Sequence, residues 1–351
     1  MIKVLITEDS PVVRGYLQRI LDQDPDIEVV GVAKNGEEAV KMAPEHNPDV
    51  ITMDIHMPRM DGFEATRQIM EKHPVPIVIC SASWNPEEVD KTFKSMEAGA
   101  VAALEKPRGM GHPDSEKSVQ ELLQTIKLMS SVKVVRRWTK GKYKTKEAQE
   151  PVKKTVQPDT SVGDIRVIAI GASTGGPIVL RTILSGLPNN FSVPILIVQH
   201  IAQGFLSGLG DWLQKTTGLP VKIAEHGDKI KPGHVYLAPD AHQMGLEKNL
   251  KIALVEGNPE NNLCPAVSHL FRSVAQNYGK RSVGVLLTGM GRDGAKEMKL
   301  LKDKGGVTIA QDKESSIVHG MPGEAIKLGG ATYVLPSAKI ANMIKKVVME
   351  N

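Results

Sequence analysis

A chain of 351 residues and 38.1 kDa is too long for a single small binding module and has the length of two ordinary domains. Apolar residues at 41% and charged residues at 24% exclude a disordered or fibrous chain, and two separated cysteines, Cys80 and Cys264, exclude a disulfide framework and a cysteine zinc cluster. The net charge of +4 hides an uneven distribution: residues 1–108 hold 12 Lys and Arg against 19 Asp and Glu, residues 127–154 hold 10 against 2, and residues 165–351 hold 21 against 14. An acidic front, a basic connector and a basic back predict a boundary at the connector. The start, MIKVLITEDS, lacks the apolar core of a signal peptide, and no apolar run approaches the roughly 18 residues of a membrane span, so the expected location is cytoplasmic.

In the front part, short apolar runs (IKVLIT, IEVVGVA, VITMD, VPIVIC, VAALE) alternate with amphipathic stretches such as VVRGYLQRILDQ and GEEAVKMAPEH. That alternation predicts βαβ units and an α/β, doubly wound parallel sheet, with ligands gathering beyond the carboxyl ends of the strands. Glu8 and Asp9 follow the first strand, Asp54 ends the third, Ser81 follows the fourth and Lys106 the fifth. Converging carboxylates repel unless a cation neutralises them, and an oxygen-only set suits Mg²⁺. With such a metal, an aspartate becomes a plausible phosphoryl acceptor, with Lys106 pairing the incoming charge. HPDSEKSVQELLQTIKLMSS, with Val119, Leu122, Leu123, Ile126 and Met129 at helical spacing, reads as the closing helix of this part.

These residues resemble the response-regulator receiver family: an acidic pair, a phosphoacceptor in DIHMPRMDG, a Ser/Thr switch and a Lys-Pro. The resemblance spans about residues 1–128. It implies a flavodoxin-like fold, phosphorylation of Asp54, Mg²⁺ positioned by Glu8, Asp9 and Asp54, Ser81 as the switch hydroxyl and Lys106 on the phosphoryl group. It also implies a cis Lys106–Pro107 bond. Ala103 stands where receivers usually carry an aromatic residue, which implies a different coupling of phosphorylation to output.

Residues 129–164, VKVVRRWTKGKYKTKEAQEPVKKTVQPDTSVGD at their centre, have no sustained period and are rich in Lys, Pro, Ser and Gly toward their end, the composition of a solvated basic linker. Contact with an acidic partner, membrane or nucleic acid is the alternative for this segment. From Ile165 a second α/β pattern opens with RVIAI, GASTGGP and IVLRTILSGL. The glycine-rich turn lacks the Lys of a P-loop and has Ser173 where a dinucleotide fingerprint needs its second glycine. As G-x-S-x-G it presents Ser173 at a helix N-terminus; as a plain tight turn it carries no chemistry.

Two later strands end in comparable residues: VPILIVQ runs into His200, and SVGVLLT runs into GMGRDG with Asp293. A Ser-His-Asp set is then geometrically possible, with Ser173 as nucleophile, His200 as general base and acid, and Asp293 holding the imidazole tautomer. GMGRDG also fits G-x-G-x-x-G with Asp312 eighteen residues beyond Gly294, but it stands late in its domain and leaves Ser173 and His200 unexplained. His226, His234, His242, His269 and His319 lack metal-ligand spacing and are expected in ordinary packing or surface roles.

IAIGASTGGP, the strand ending QH, GDKIKPGHVYLAPDAHQM, LFRSVA, VLLTGMGRDGA and QDKESSIVHGMP resemble the catalytic domain of the chemotaxis protein-glutamate methylesterases, and both halves together resemble response regulators of that type. The resemblance implies a Rossmann-like hydrolase domain over 165–351 that hydrolyses glutamate γ-methyl esters on chemoreceptor signalling helices, often with glutamine deamidation. It implies Ser173, His200 and Asp293 as the triad, and Thr174 and Met290 as oxyanion-side and His-supporting residues. It further implies a chemotaxis histidine kinase as phosphodonor, methylated chemoreceptors as substrate, no nucleic acid, no membrane insertion and no cofactor for the ester chemistry. Ile201 and Ala202 stand where Met-Pro is common and Ser268 where Asp is common, so the receptor fit is expected to be specialised. Without phosphorylation the receiver is expected to lie over the catalytic cleft. The rivals are a DNA-binding response regulator, which needs a compact basic helical output, and a docking protein with a vestigial triad.

Overall fold

A computed structural model describes residues 1–81, 86–109, 111–132, 134, 164–257, 259–260 and 262–349. Most of the linker expected over 129–164 falls outside these residues. The chain divides into two compact units, Met1–Glu147 and Ala148–Asn351.

The first unit alternates strands β1 (Ile2–Thr7), β2 (Ile27–Ala33), β3 (Val50–Met53), β4 (Ile77–Ser81) and β5 (Ala102–Glu105) with helices α1 (Pro11–Asp22), α2 (Gly36–His46), α3 (Gly62–Lys72), α4 (Pro86–Ala98) and α5 (Ser115–Met129). The strands form one parallel sheet in the order β2-β1-β3-β4-β5. β3 and β4 are buried along their whole length, as strands covered on both faces must be. The helices begin where short polar side chains can satisfy the free N–H groups: Ser10 accepts from Val13 N, Asp61 from Glu64 N, and Asn35 and Glu38 form a reciprocal box at α2. Each such cap contributes about 1 kcal/mol.

The first sheet changes winding direction between β1 and β3, and the crevice this opens lies beyond their carboxyl ends. Ser81 closes β4 rather than following it, because it pairs with Glu105 and its carbonyl accepts from Lys106 N at 2.8 Å. Lys106–Pro107 is trans, contrary to expectation; among the described residues the cis peptide is Cys264–Pro265.

The second unit holds β6 (Val167–Ala172), β7 (Ile195–Gln199), β8 (Val221–Ile223), β9 (Val235–Leu237), β12 (Ser282–Leu286), β13 (Val307–Gln311) and β14 (Tyr333–Leu335) in a parallel sheet ordered β14-β13-β12-β6-β7-β9-β8. A separate antiparallel hairpin, β10 (His242–Leu246) with β11 (Ile252–Glu256), packs on α8 (Val267–Asn277). The other helices are α6 (Gly176–Ser185), α7 (Leu206–Thr217), α9 (Ala295–Asp303), α10 (Met321–Lys327) and α11 (Ser337–Met349). β6, β7, β12 and β13 are buried throughout, and Phe271, Leu270, Val274, Leu286 and Met298 join one core with them. From β6 the chain winds first toward β7 and later returns to β12 on the opposite side, so the switch point lies at β6. No helix of the described residues is long and apolar enough to cross a membrane.

Candidate functional site

The crevice of the first sheet gathers the five residues expected there. Lys106, whose side chain is only 11% exposed, sets its Nζ 2.8 Å from Glu8 Oε2 and 3.0 Å from Asp54 Oδ1. Asp54 Oδ1 also accepts from Ile55 N at 2.8 Å, and Glu8 Oε1 accepts from Ser10 N at 3.2 Å. Burial pushes the Glu8 and Asp54 carboxyls above the ordinary carboxylate range against the pull of Lys106, each raised further by a neighbouring carboxylate. Burial opposes the charge of Lys106, yet Asp54 and Glu8 together outweigh it and raise its pKa.

One ammonium therefore faces three carboxylates, since Glu8, Asp9 and Asp54 each bring an oxygen within 4.8 Å of the others. Two of the three are buried, the donors are all oxygen, and the negative charge exceeds what Lys106 neutralises; these residues fit a hard divalent cation such as Mg²⁺. Ser81 is buried at the end of β4 beside them, and Ala103 is half-buried on β5 opposite Ile79. Gly62 at the start of α3 is required by close approach, because a Cβ there would stand 1.9 Å from the Asp54 carbonyl oxygen.

At the switch point of the second sheet, the register Ala172↔Gln199 sets Ser173 and His200 on adjoining strand ends, and His200 N donates to Ala172 O at 2.9 Å. Ser173 is half-buried; its N–H donates to Thr288 O at 3.0 Å and its carbonyl accepts from Gly176 N at 2.7 Å. Gly175 makes this turn possible with φ +79°, setting the start of α6 beside Ser173. Gly289 lets the loop after β12 approach, because a Cβ there would come 2.7 Å from Ser173 Cβ. That loop carries Met290, half exposed, and Asp293, buried.

Asp293 is fixed by the first turn of α8. Its Oδ2 accepts from Val267 N at 2.6 Å and its Oδ1 from Ser268 N at 3.0 Å, so the helix dipole favours its charge. Burial alone would raise its pKa, but His200, the Ser268 side chain and the Val267 N–H group more than offset this and hold it below the usual range. His200 Nε2 lies 3.1 Å from Asp293 Oδ2, with the ring N–H turned off that line. The structure thus brings His200 and Asp293 into contact and sets Ser173 on the neighbouring strand end, without a hydrogen bond from the Ser173 hydroxyl to His200. Thr174 is half-buried and its carbonyl accepts from Thr288 Oγ1 at 3.0 Å.

Sequence reasoning missed Gln199 and Glu297 here, and the contacts that Ser268 makes. Gln199 donates from Nε2 to both the Ser173 and His200 carbonyls, at 2.9 and 2.8 Å. The Ser268 hydroxyl accepts from Gly294 N at 3.0 Å and donates to Glu297 Oε2 at 2.8 Å, so that position keeps a hydrogen-bonding role through a hydroxyl. Glu297 in turn accepts from Arg272, which also pairs with Glu260. The one signal in the sequence was a polar residue closing an apolar strand, at Gln199. Asp312, the acid of the dinucleotide alternative, accepts from Ser315 N and Oγ within its own loop.

The chain matches the CheB methylesterase family over residues 168–344 and the response regulator receiver domain over residues 4–112. It is 55% identical to protein-glutamate methylesterase/protein-glutamine glutaminase 1 of Syntrophus aciditrophicus, covering 99% of this chain and 98% of that one. It is 52% identical to protein-glutamate methylesterase/protein-glutamine glutaminase 4 of Geobacter metallireducens over 100% of both. The crystal structure of the Thermotoga maritima CheB methylesterase catalytic domain matches 53% of this chain and 99% of its own, with 42% identity and a TM-score of 0.50.

Proposed function

Because the chain belongs to the CheB methylesterase family and begins with a response regulator receiver domain, we propose that it hydrolyses glutamate γ-methyl esters on chemoreceptors, with release of methanol, under the control of Asp54 phosphorylation. The observation that carries the catalytic reading is the buried Asp293, held charged by α8 and facing His200 across 3.1 Å. Ser173 Oγ attacks the ester carbonyl carbon while His200 takes its proton; His200 then returns that proton to the departing methoxide. Water attacks the acyl-serine in the same way, restoring Ser173 and leaving a glutamate carboxylate. With Nε2 toward Asp293, Nδ1 is the nitrogen left to accept the serine proton. Backbone N–H groups of the turn that leads into α6, with Thr174 alongside and the helix dipole behind them, stabilise the oxyanion, and Met290 supports His200. An amide in place of the ester leads by the same steps to glutamine deamidation, the second activity in the relatives' names.

In the receiver, Glu8, Asp9 and Asp54 would hold Mg²⁺, which when bound supplies positive charge to the oxygens of a transferring phosphoryl group. The Asp54 carboxylate is the acceptor, Lys106 pairs with the phosphoryl charge and the Ser81 hydroxyl hydrogen-bonds it. The phosphodonor is a chemotaxis histidine kinase, and the protein works in the cytoplasm. Methanol release from methylated receptor, with and without acetyl phosphate and Mg²⁺, tests both halves. Release that rises on phosphorylation and vanishes in Ser173→Ala is expected; full release from Ser173→Ala would remove the serine mechanism.

A further inference from the structure

Ser173 and His200 stand just beyond the ends of different strands, and proton transfer between their side chains depends on the spacing of two backbones. The parallel ladder that sets this spacing ends just before them: its last bond runs from His200 N to Ala172 O at 2.9 Å. Beyond it the Ser173 carbonyl turns into α6, accepting from Gly176 N. One side chain continues the connection. Gln199 sends its two amide hydrogens to the carbonyls of Ser173 and His200, at 2.9 and 2.8 Å, from a position only 4% exposed.

The amide cannot be turned over without cost, since reversal would set Oε1 against two carbonyl oxygens. Its Oε1 is buried with no hydrogen-bond partner and lies so close to Gly176 that a Cβ there would be 2.1 Å away. A buried acceptor left unsatisfied is unfavourable, and such groups in native proteins call for a reason beyond packing. Here the reason is that both donors are spent on the backbones of the nucleophile and the base.

We infer that Gln199 is a positioning residue for ester hydrolysis: its amide clamps the Ser173 and His200 main chains at the separation proton transfer requires. This rests on the triad reading above. A residue that acts in this way holds geometry in the reacting complex rather than substrate, so its removal lowers kcat and spares KM. Gln199→Met keeps the length of the side chain and loses both donors. Gln199→Glu adds a diagnostic: ionised, its carboxylate faces two carbonyl oxygens, whereas protonated it can donate to one of them.

The experiment is methanol release by the full-length protein at several pH values for wild type, Gln199→Met, Gln199→Glu and Ser173→Ala, with thermal unfolding of each. Expected are a kcat for Gln199→Met lowered about 10- to 100-fold with KM within about twofold, and a ratio of Gln199→Glu to wild-type kcat that rises as pH falls. If Gln199→Met does not fold, the pH dependence of that ratio decides alone. Wild-type kcat in Gln199→Met, a loss confined to KM, or a pH-independent ratio would overturn the clamp while an inactive Ser173→Ala leaves the triad standing. Full turnover in Ser173→Ala would instead overturn the triad, and the clamp with it.

Discussion

Asp293 illustrates how a buried charge becomes affordable. The adjacent His200, the Ser268 side chain and the Val267 N–H at the start of α8 favour its ionised form over the opposing effect of burial, so its folded pKa lies below the unfolded value of 3.8. A depressed carboxyl contributes stability that is complete above the unfolded pKa and is lost as pH falls through the folded one. Asp293→Asn should therefore flatten the acid limb of stability for the second unit below about pH 4, measured by chemical denaturation at stepped pH. The same change should lower kcat by about 10²–10⁴-fold through loss of the correct tautomer, measured as methanol release. Ser268→Ala removes the hydroxyl that Gly294 N donates to and that donates to Glu297 Oε2, and should destabilise the protein by about 1–3 kcal/mol. Ser173, His200, Asp54 and Lys106 were legible because each follows an apolar run at a strand end, and Asp293 because it is the acid of the glycine-rich loop after β12. The contact of Ser268 with Glu297 was not, because each is an ordinary polar residue of an amphipathic helix and only packing brings α8 and α9 together.

Elements reach their sites through glycines where two backbones nearly touch. Gly62 lets α3 begin against the Asp54 carbonyl, and Gly289 lets the loop after β12 lie against Ser173 and Met321. Gly289→Ala would force its Cβ to 2.4 Å from Met321 Sδ and 2.7 Å from Ser173 Cβ, so the serine must shift. Ester hydrolysis should fall at least about 10-fold, as displacements near 1 Å do, while far-ultraviolet circular dichroism keeps its native form. Wild-type kcat in that variant would show that the turn accommodates the methyl group. The apolar runs IKVLIT and IEVVGVA coincide with β1 and β2, whereas the other predicted strands ran a residue or two long or short, because ladder pairing, not hydropathy, ends a strand: Ser81 stays in β4 through Glu105, and Asp54 falls outside β3.

Across the whole molecule the same rule operates twice. Each parallel sheet has one switch point, and each places its polar cluster beyond the strands that flank it, Asp54 with Glu8 in the first and Ser173 with His200 in the second. Asp54, proposed as the phosphoacceptor, and Ser173 with His200, proposed for the hydrolysis, belong to separate compact units, so their chemistries should be separable by mutation. Asp54→Asn should abolish stimulation by acetyl phosphate with Mg²⁺ and keep the unphosphorylated rate of methanol release. Stimulation equal to wild type would place the acceptor elsewhere. Mg²⁺ should also raise the thermal midpoint of the receiver transition in wild type, since a ligand that binds only the folded state stabilises it by mass action, and less so in Asp9→Asn.

The sequence by itself determined the fold class, the two-part organisation and the residues at the strand ends, because the periods of apolar residues and the breaks in them are local properties of the chain. It also carried the family resemblance. Only the tertiary structure decided which backbone groups hold Asp293, that Lys106 spans Glu8 and Asp54, and that Gln199 joins the carbonyls of Ser173 and His200. Those contacts join residues from 25 to 98 positions apart, or depend on such a pairing, and no local pattern specifies the distance between two strands after the chain has folded.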